Sequence, residues 1–178
     1  MDYKIRTWPD KILKQKMKKV DFFDERLEDY IQNMYRVMYE EDGVGLAANQ
    51  IGIPYQIIVI DTTKRDKKGE DKEEGIKLEL INPKIIHKEG NVQSTEGCLS
   101  FPGIQITIPR AEKVKVVAQD INGDEIEIET DGFLAIVLQH EIDHINGIPF
   151  INYLSPVKKK LILEKYMKLK KETSRRKN

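Results

Sequence analysis

The sequence predicts an α+β fold: antiparallel β-sheets wrapped around one central helix, with flanking N-terminal and C-terminal helices. Three observations carry this. Leu27, Ile31, Met34 and Met38 recur at helical spacing within 24–42. Residues 113–119 and 125–129 alternate apolar and polar side chains about Asn122-Gly123, the pattern of a β-hairpin. The run FLAIVL, 133–138, is apolar on every side, so the helix it opens threads the core instead of lying on it.

Taken in order, the first helix covers 24–42, with Tyr30 and Tyr35 beside its apolar stripe, and Gly43 takes the glycine position after its end. Residues 56–60 form a short β-branched strand. Residues 61–77 are so charged that they suit only an exposed loop or hairpin tip. The stretches 78–81 and 84–87 read as two strands broken by Asn82-Pro83. Asp131 caps the central helix, which Gly147 and Pro149 stop. Ser155 and Pro156 open the last helix. Its Val157, Leu161, Tyr166 and Leu169 form one docking stripe, and the terminal SRRKN frays.

A length of 178 residues suits a single domain, 1–178, with a basic C-terminal helix and tail over 156–178. The 30 basic and 30 acidic residues cancel, so no overall field favours nucleic acid or a membrane. The distribution is uneven: from Pro156 onward ten Lys/Arg face two Glu. No apolar run reaches membrane-spanning length, and the N-terminus lacks an apolar signal core. One cysteine excludes an intramolecular disulfide. A cytoplasmic, reducing setting is expected.

The chemistry concentrates in HEIDH, 140–144. Histidines four apart share one helix face, so His140 and His144 can grip one divalent ion. Glu141 is rotated off that face yet close enough to take a proton from an attacking water. A catalytic site of this kind usually takes three protein ligands. Downstream, only Glu164 and Glu172 are available, on an exposed basic helix. Upstream stand His87 and Cys98. Cys98 is preferred, because Gly97 and Pro102 make its segment tight and rigid. Two nitrogens and a sulfur suit Zn²⁺ or Fe²⁺ and disfavour Mg²⁺ or Ca²⁺. Counting back from His140, Val137, Ile136 and Phe133 share its face and would floor an apolar pocket beside the metal, closed by Val44.

GVGLAANQ (43–50), EGCLS (96–100) and HEIDH, in this order, resemble the three motifs of peptide deformylases, GxGLAAxQ, EGCLS and HExxH. The likeness extends through PRAEKVKV (109–116) and NYLSP (152–156), and the last helix is similar to that of the bacterial class ending in one. The resemblance implies that Cys98, His140 and His144 hold one divalent metal, with Fe²⁺ native and Zn²⁺ possible. It implies Glu141 as the proton carrier, and Gln50 with the backbone N–H of Leu99 as donors to the formyl oxygen. Gly45 would give a backbone contact to the peptide, and Glu96 with Arg110 a supporting salt bridge.

The implied reaction removes the N-formyl group from the initiator methionine of newly made polypeptides and releases formate. An unbranched thioether fits the apolar pocket. The basic helix has two readings: a lysine-rich solvated face on a docked helix, or, as the resemblance suggests, a means of holding the enzyme near ribosomal RNA. One departure stands out: some relatives carry an arginine between Pro102 and Pro109 that contacts substrate, whereas this chain has GIQITI. Two other functions remain open on the motifs, an HEXXH-type metallopeptidase and a non-catalytic metal-binding protein.

Overall fold

The run Ile57–Asp61 is buried along its whole length, because alternate side chains enter two different cores. Ile57 and Val59 face one cluster with Leu27, Met34 and Met38, while Ile58 and Ile60 face another with Val137, Leu138 and Ile142. A strand buried on both faces must lie between two layers. The computed structural model describes residues 1–65 and 71–177.

Its strands are β1 (Gly45–Ala47), β2 (Ile57–Asp61), β3 (Lys64–Arg65), β4 (Asp71–Glu73), β5 (Lys77–Glu89), β6 (Val92–Gly97), β7 (Gln105–Arg110), β8 (Lys113–Gln119) and β9 (Glu125–Asp131). Its α-helices are α1 (Glu25–Glu40), α2 (Gly132–Ile145) and α3 (Pro156–Arg176). The main sheet is antiparallel in the order β1-β2-β5-β8-β9, with β3-β4 and β6-β7 as separate hairpins. Helix α1 covers one face of the main sheet and α2 the other, so the α+β expectation holds. A third core of Phe101, Ile104, Ile106, Ile108, Phe150 and Tyr166 lies under β7 and α3.

Several local expectations are corrected. Helix α1 ends with Asp42, not Gly43, in the left-handed region at φ 55°. Asp42 N donates to Tyr39 O and Gly43 N to Met38 O, a closed C-terminal motif. Gly43 is small for another reason: a Cβ there would lie 3.0 Å from Leu99 Cδ1. Asn82-Pro83 does not break the strand. Strand β5 runs through it with a register shift, as Asn82 adopts φ 52° and its side chain bonds Val20 N, Val20 O and Gln119 Oε1.

Asp131 occupies the cap position of α2, but its side chain makes no capping hydrogen bond. The first turn of α2 also emerges from the core, leaving Phe133 58% exposed. Gly147, at φ 74°, does stop the helix, and a Cβ there would meet the backbone of Lys14 and Gln15 at 2.8 Å. The docked stripe of α3 is Ile162, Tyr166 and Leu169, whereas Val157 and Leu161 face solvent. Of the SRRKN tail, residues 174–176 remain helical and residue 178 lies outside the described residues. In the charged 61–77 stretch, Asp61 is buried at the end of β2, β3 and β4 form a hairpin, and 66–70 lie outside the described residues. Among the described residues, no helix is long and apolar enough to cross a membrane.

Candidate metal centre

Helix α2 is the axis of the site. Its apolar side packs Ala135, Leu138, Ile142 and Ile145 into the sheet, which turns His140 and His144 toward the β6-β7 hairpin. A buried amide pair fixes the helix against the connection between β7 and β8: Gln139 Nε2 donates to Ala111 O and Ala111 N donates to Gln139 Oε1, both at 2.9 Å. Cys98 follows β6 directly and starts a turn in which Phe101 N donates to Cys98 O. The N-terminal strap presses that turn inward, with Trp8 N donating to Ser100 O and Trp8 stacked on Phe101 at 5.5 Å.

Cys98 Sγ lies 3.3 Å from His144 Nε2, which lies 3.2 Å from His140 Nε2. All three ligand atoms fall within 4.8 Å of one another. Tetrahedral bonds of about 2.0–2.1 Å to nitrogen and about 2.3 Å to sulfur would set such atoms about 3.3–3.6 Å apart, so the donor set fits one metal ion. His87, the other upstream candidate, is exposed on β5 beside Glu89. Glu164 and Glu172 are exposed on α3.

The histidines differ in their backing. His140 Nδ1 meets Glu96 Oε1 at 2.7 Å, and Glu96 receives Arg110 Nε and Nη2 at 2.9 Å each. Burial would raise Glu96, but the hydrogen bonds from Arg110 and His140 outweigh it and hold its carboxyl at about 2. Burial would likewise lower His140, yet Cys98 and Glu96 hold it well above the imidazole range. Burial and the neighbouring His140 push His144 well below that range. Burial pushes Glu141 up to about 7, and its Oε2 has no hydrogen-bond partner among the described residues.

A cleft of about 1060 Å³ opens on these groups, lined among others by Val44, Leu99, Ile136, Val137, His140 and Glu141. Val137 forms its buried floor, whereas Phe133 and Val44 stand at the exposed rim. Phe133 was expected in the floor, and the emergence of α2 from the core moves it outward. Gln50 is buried beside the cysteine, its Nε2 3.2 Å from Ser100 Oγ and 3.8 Å from Cys98 Sγ. Gly45 lies against Glu141.

A family model described as polypeptide deformylase matches residues 2–160. The chain belongs to the polypeptide deformylase family. It is 46% identical over 167 residues to a peptide deformylase of Aquifex aeolicus, which covers 94% of this chain and 96% of that one. Among solved structures, a peptide deformylase from Legionella pneumophila superposes with TM-score 0.86 at 42% identity, covering 98% of this chain and 99% of that one. One from Ehrlichia chaffeensis gives TM-score 0.83 at 36% identity, with 93% and 95% covered. This deformylase is therefore an enzyme of metal-dependent N-formyl removal from nascent polypeptides.

Sequence reasoning missed part of the surroundings. Asp143, inside HEIDH, receives Arg110 Nη1 at 2.6 Å and the Tyr153 hydroxyl at 2.7 Å. A carboxylate in so apolar a helix needs a buried cation, and that alone could have pointed to Arg110. Lys165 of α3 also lines the cleft, a placement that no local pattern encodes.

Proposed function

We propose that residues 1–178 act as one catalytic domain in which Cys98, His140 and His144 hold a single divalent metal, Fe²⁺ in the native enzyme with Zn²⁺ able to replace it. The convergence of these three side chains beside Glu141 carries the reading. When bound, the cation supplies Lewis-acid chemistry to water and to the formyl carbonyl.

The residues divide the remaining work. Glu141, with an unpartnered buried Oε2, takes a proton from the attacking water and returns it to the amine nitrogen as the C–N bond breaks. The Gln50 amide and the Leu99 backbone N–H donate to the formyl oxygen, where negative charge develops. The peptide backbone pairs with β1 at Gly45, as an added strand. Its methionine side chain rests on Val137 and Ile136, with Val44 and Phe133 at the pocket mouth. Glu96 and Arg110 brace the cysteine segment and do not touch substrate.

The site acts in the cytoplasm, where its single thiol stays reduced. Exposed lysines of α3, among them Lys158, Lys160 and Lys168, bring the enzyme to the phosphate backbone of ribosomal RNA.

Metal analysis of anaerobically purified protein, paired with formate release from a formyl-Met peptide, tests this reading. One equivalent of metal with formate produced supports it. Cleavage of an internally cuttable peptide without formate release would establish the metallopeptidase alternative. Metal bound without turnover of either substrate would leave a binding protein.

A further inference from the structure

A continuous line of polar contacts runs from His140 to the protein surface. His140 Nδ1 meets Glu96 Oε1, Glu96 is gripped by two nitrogens of Arg110, Arg110 Nη1 donates to Asp143 Oδ2, and Tyr153 donates its hydroxyl to that same oxygen. Glu96, Arg110 and Asp143 are buried. The Arg110 guanidinium also lies over the Tyr153 ring, 4.9 Å from its centroid. Tyr153 is 37% exposed. With Arg110 and Lys88 it lines a separate pocket of about 240 Å³ that shares no lining residue with the substrate cleft. The pocket thus opens on the Tyr153 and Arg110 end of the line, where the Tyr153 hydroxyl fills an acceptor position on Asp143. His144 has no such support: among the described residues its buried Nδ1 finds no hydrogen-bond partner.

We propose that Tyr153 is a positioning residue for the metal centre. Its hydroxyl pins Asp143 and so the Arg110 guanidinium. Arg110 in turn fixes Glu96, and Glu96 sets the tautomer and ring angle of His140 so that Nε2 faces the cation. The two imidazoles are then unequal ligands, one braced from the surface and one free to adjust during turnover. The proposal rests on the reading of Cys98, His140 and His144 as metal ligands.

Tyr153→Phe isolates the hydroxyl, because the ring over Arg110 remains. Wild type and variant are loaded anaerobically with Co²⁺. The ligand-field spectrum, the rate of cobalt loss into excess chelator, kcat and KM on a formyl-Met peptide, and the melting temperature of the metal-free protein are then compared. Partners that orient metal ligands typically change affinity 10–100-fold, and three links beyond Glu96 the expected acceleration of cobalt loss is about two- to fivefold. The spectrum should shift and kcat fall by a similar factor, with KM unchanged and metal-free melting lowered only by the loss of one hydrogen bond to a carboxylate. Lys88→Ala, in the same pocket but outside the contact line, should match wild type throughout. Wild-type cobalt loss and spectrum in Tyr153→Phe would overturn the proposal, as would a drop in metal-free melting with cobalt loss unaltered. If Tyr153→Phe does not fold, Asp143→Asn reads the same line one step inward. Faster cobalt loss and a shifted spectrum are expected there, with lower metal-free melting because Arg110 loses a buried partner. Wild-type cobalt loss and spectrum in that variant would overturn the proposal. A wild type that takes up no cobalt overturns the three-ligand reading itself, an outcome visible before any variant is made.

Discussion

Gly45 and Glu141 pack so closely that a Cβ built on the glycine would stand 2.9 Å from Glu141 Oε1 and 3.0 Å from its Cγ. The same atom would meet Val137 Cγ1 at 3.0 Å. Gly45 therefore keeps both Glu141 and Val137 in place, apart from any contact with a peptide. Gly45→Ala should lower kcat at least tenfold while metal content, read by elemental analysis, stays at the wild-type level. Loss of metal instead would mean that the methyl group disturbs the histidines.

Glu141→Ala removes a group that touches no ligand atom at hydrogen-bond distance. Turnover should fall by about 10²–10⁴-fold, the usual contribution of a positioned acid or base. Metal content should be retained. Full activity in formate release would remove Glu141 from the mechanism.

Replacement of Cys98 by Asp exchanges a soft thiolate for a hard carboxylate. Cys98→Asp should bind Fe²⁺ or Zn²⁺ more weakly in chelator titrations and turn over more slowly. Peroxide should inactivate the wild-type iron form through the metal or the thiolate. Iron-loaded protein that withstands peroxide would count against Cys98 as a ligand.

Alkaline stability reports two tyrosines. Burial and the hydrogen bond to Glu79 push Tyr35 well above the usual phenol range, and burial with the bond to Asp143 pushes Tyr153 up to about 12. A raised folded-state value means that the unfolded chain gives up its proton first. The contribution is fully present below pH about 10 and is lost as pH rises through the folded-state value. Urea midpoints should fall between pH about 10 and 12, and Tyr35→Phe should flatten that slope. An unchanged slope in Tyr35→Phe would show that its phenol is not the linked group.

Helix α3 divides into a docked part and a free part. Tyr166 is buried with its hydroxyl donating to Trp8 O, and Lys170 Nζ reaches Trp8 O and Thr7 Oγ1. Deleting residues 171–178 should leave hydrolysis of a short formyl-peptide intact and weaken ribosome binding, measured by co-sedimentation at low salt. Unchanged sedimentation would remove this tail from any ribosomal contact. Tyr166→Ala, by contrast, should cost about 3 kcal/mol in denaturant unfolding, as deletion of a large buried ring does.

The sequence made the elements around the site readable because each obeys a local rule. The period of α1, the alternation of β8 and β9, and the Gly147 stop are encoded within a few residues of where they act. The three would-be ligands were legible because few residue types bind metal and this chain has only one cysteine and three histidines. What escaped depends on distant partners. Asn82 holds β5 together through Val20 and Gln119, and Trp8 and Phe101 select which of the apolar positions of α3 dock. The line from Tyr153 to His140 joins four segments, and none of them signals the others.

The strap that closes the cysteine turn ties the two ends of the chain together. Trp8, stacked on Phe101, is held by Tyr166 and Lys170, the last docked residues of α3. A chain in which α3 has not docked therefore leaves Trp8 tied to the cysteine turn but not to the far end of the chain. The outer wall of the thiol loop is finished by a helix that follows the two histidines in the chain, so assembling the ligands and enclosing them are separate steps of folding.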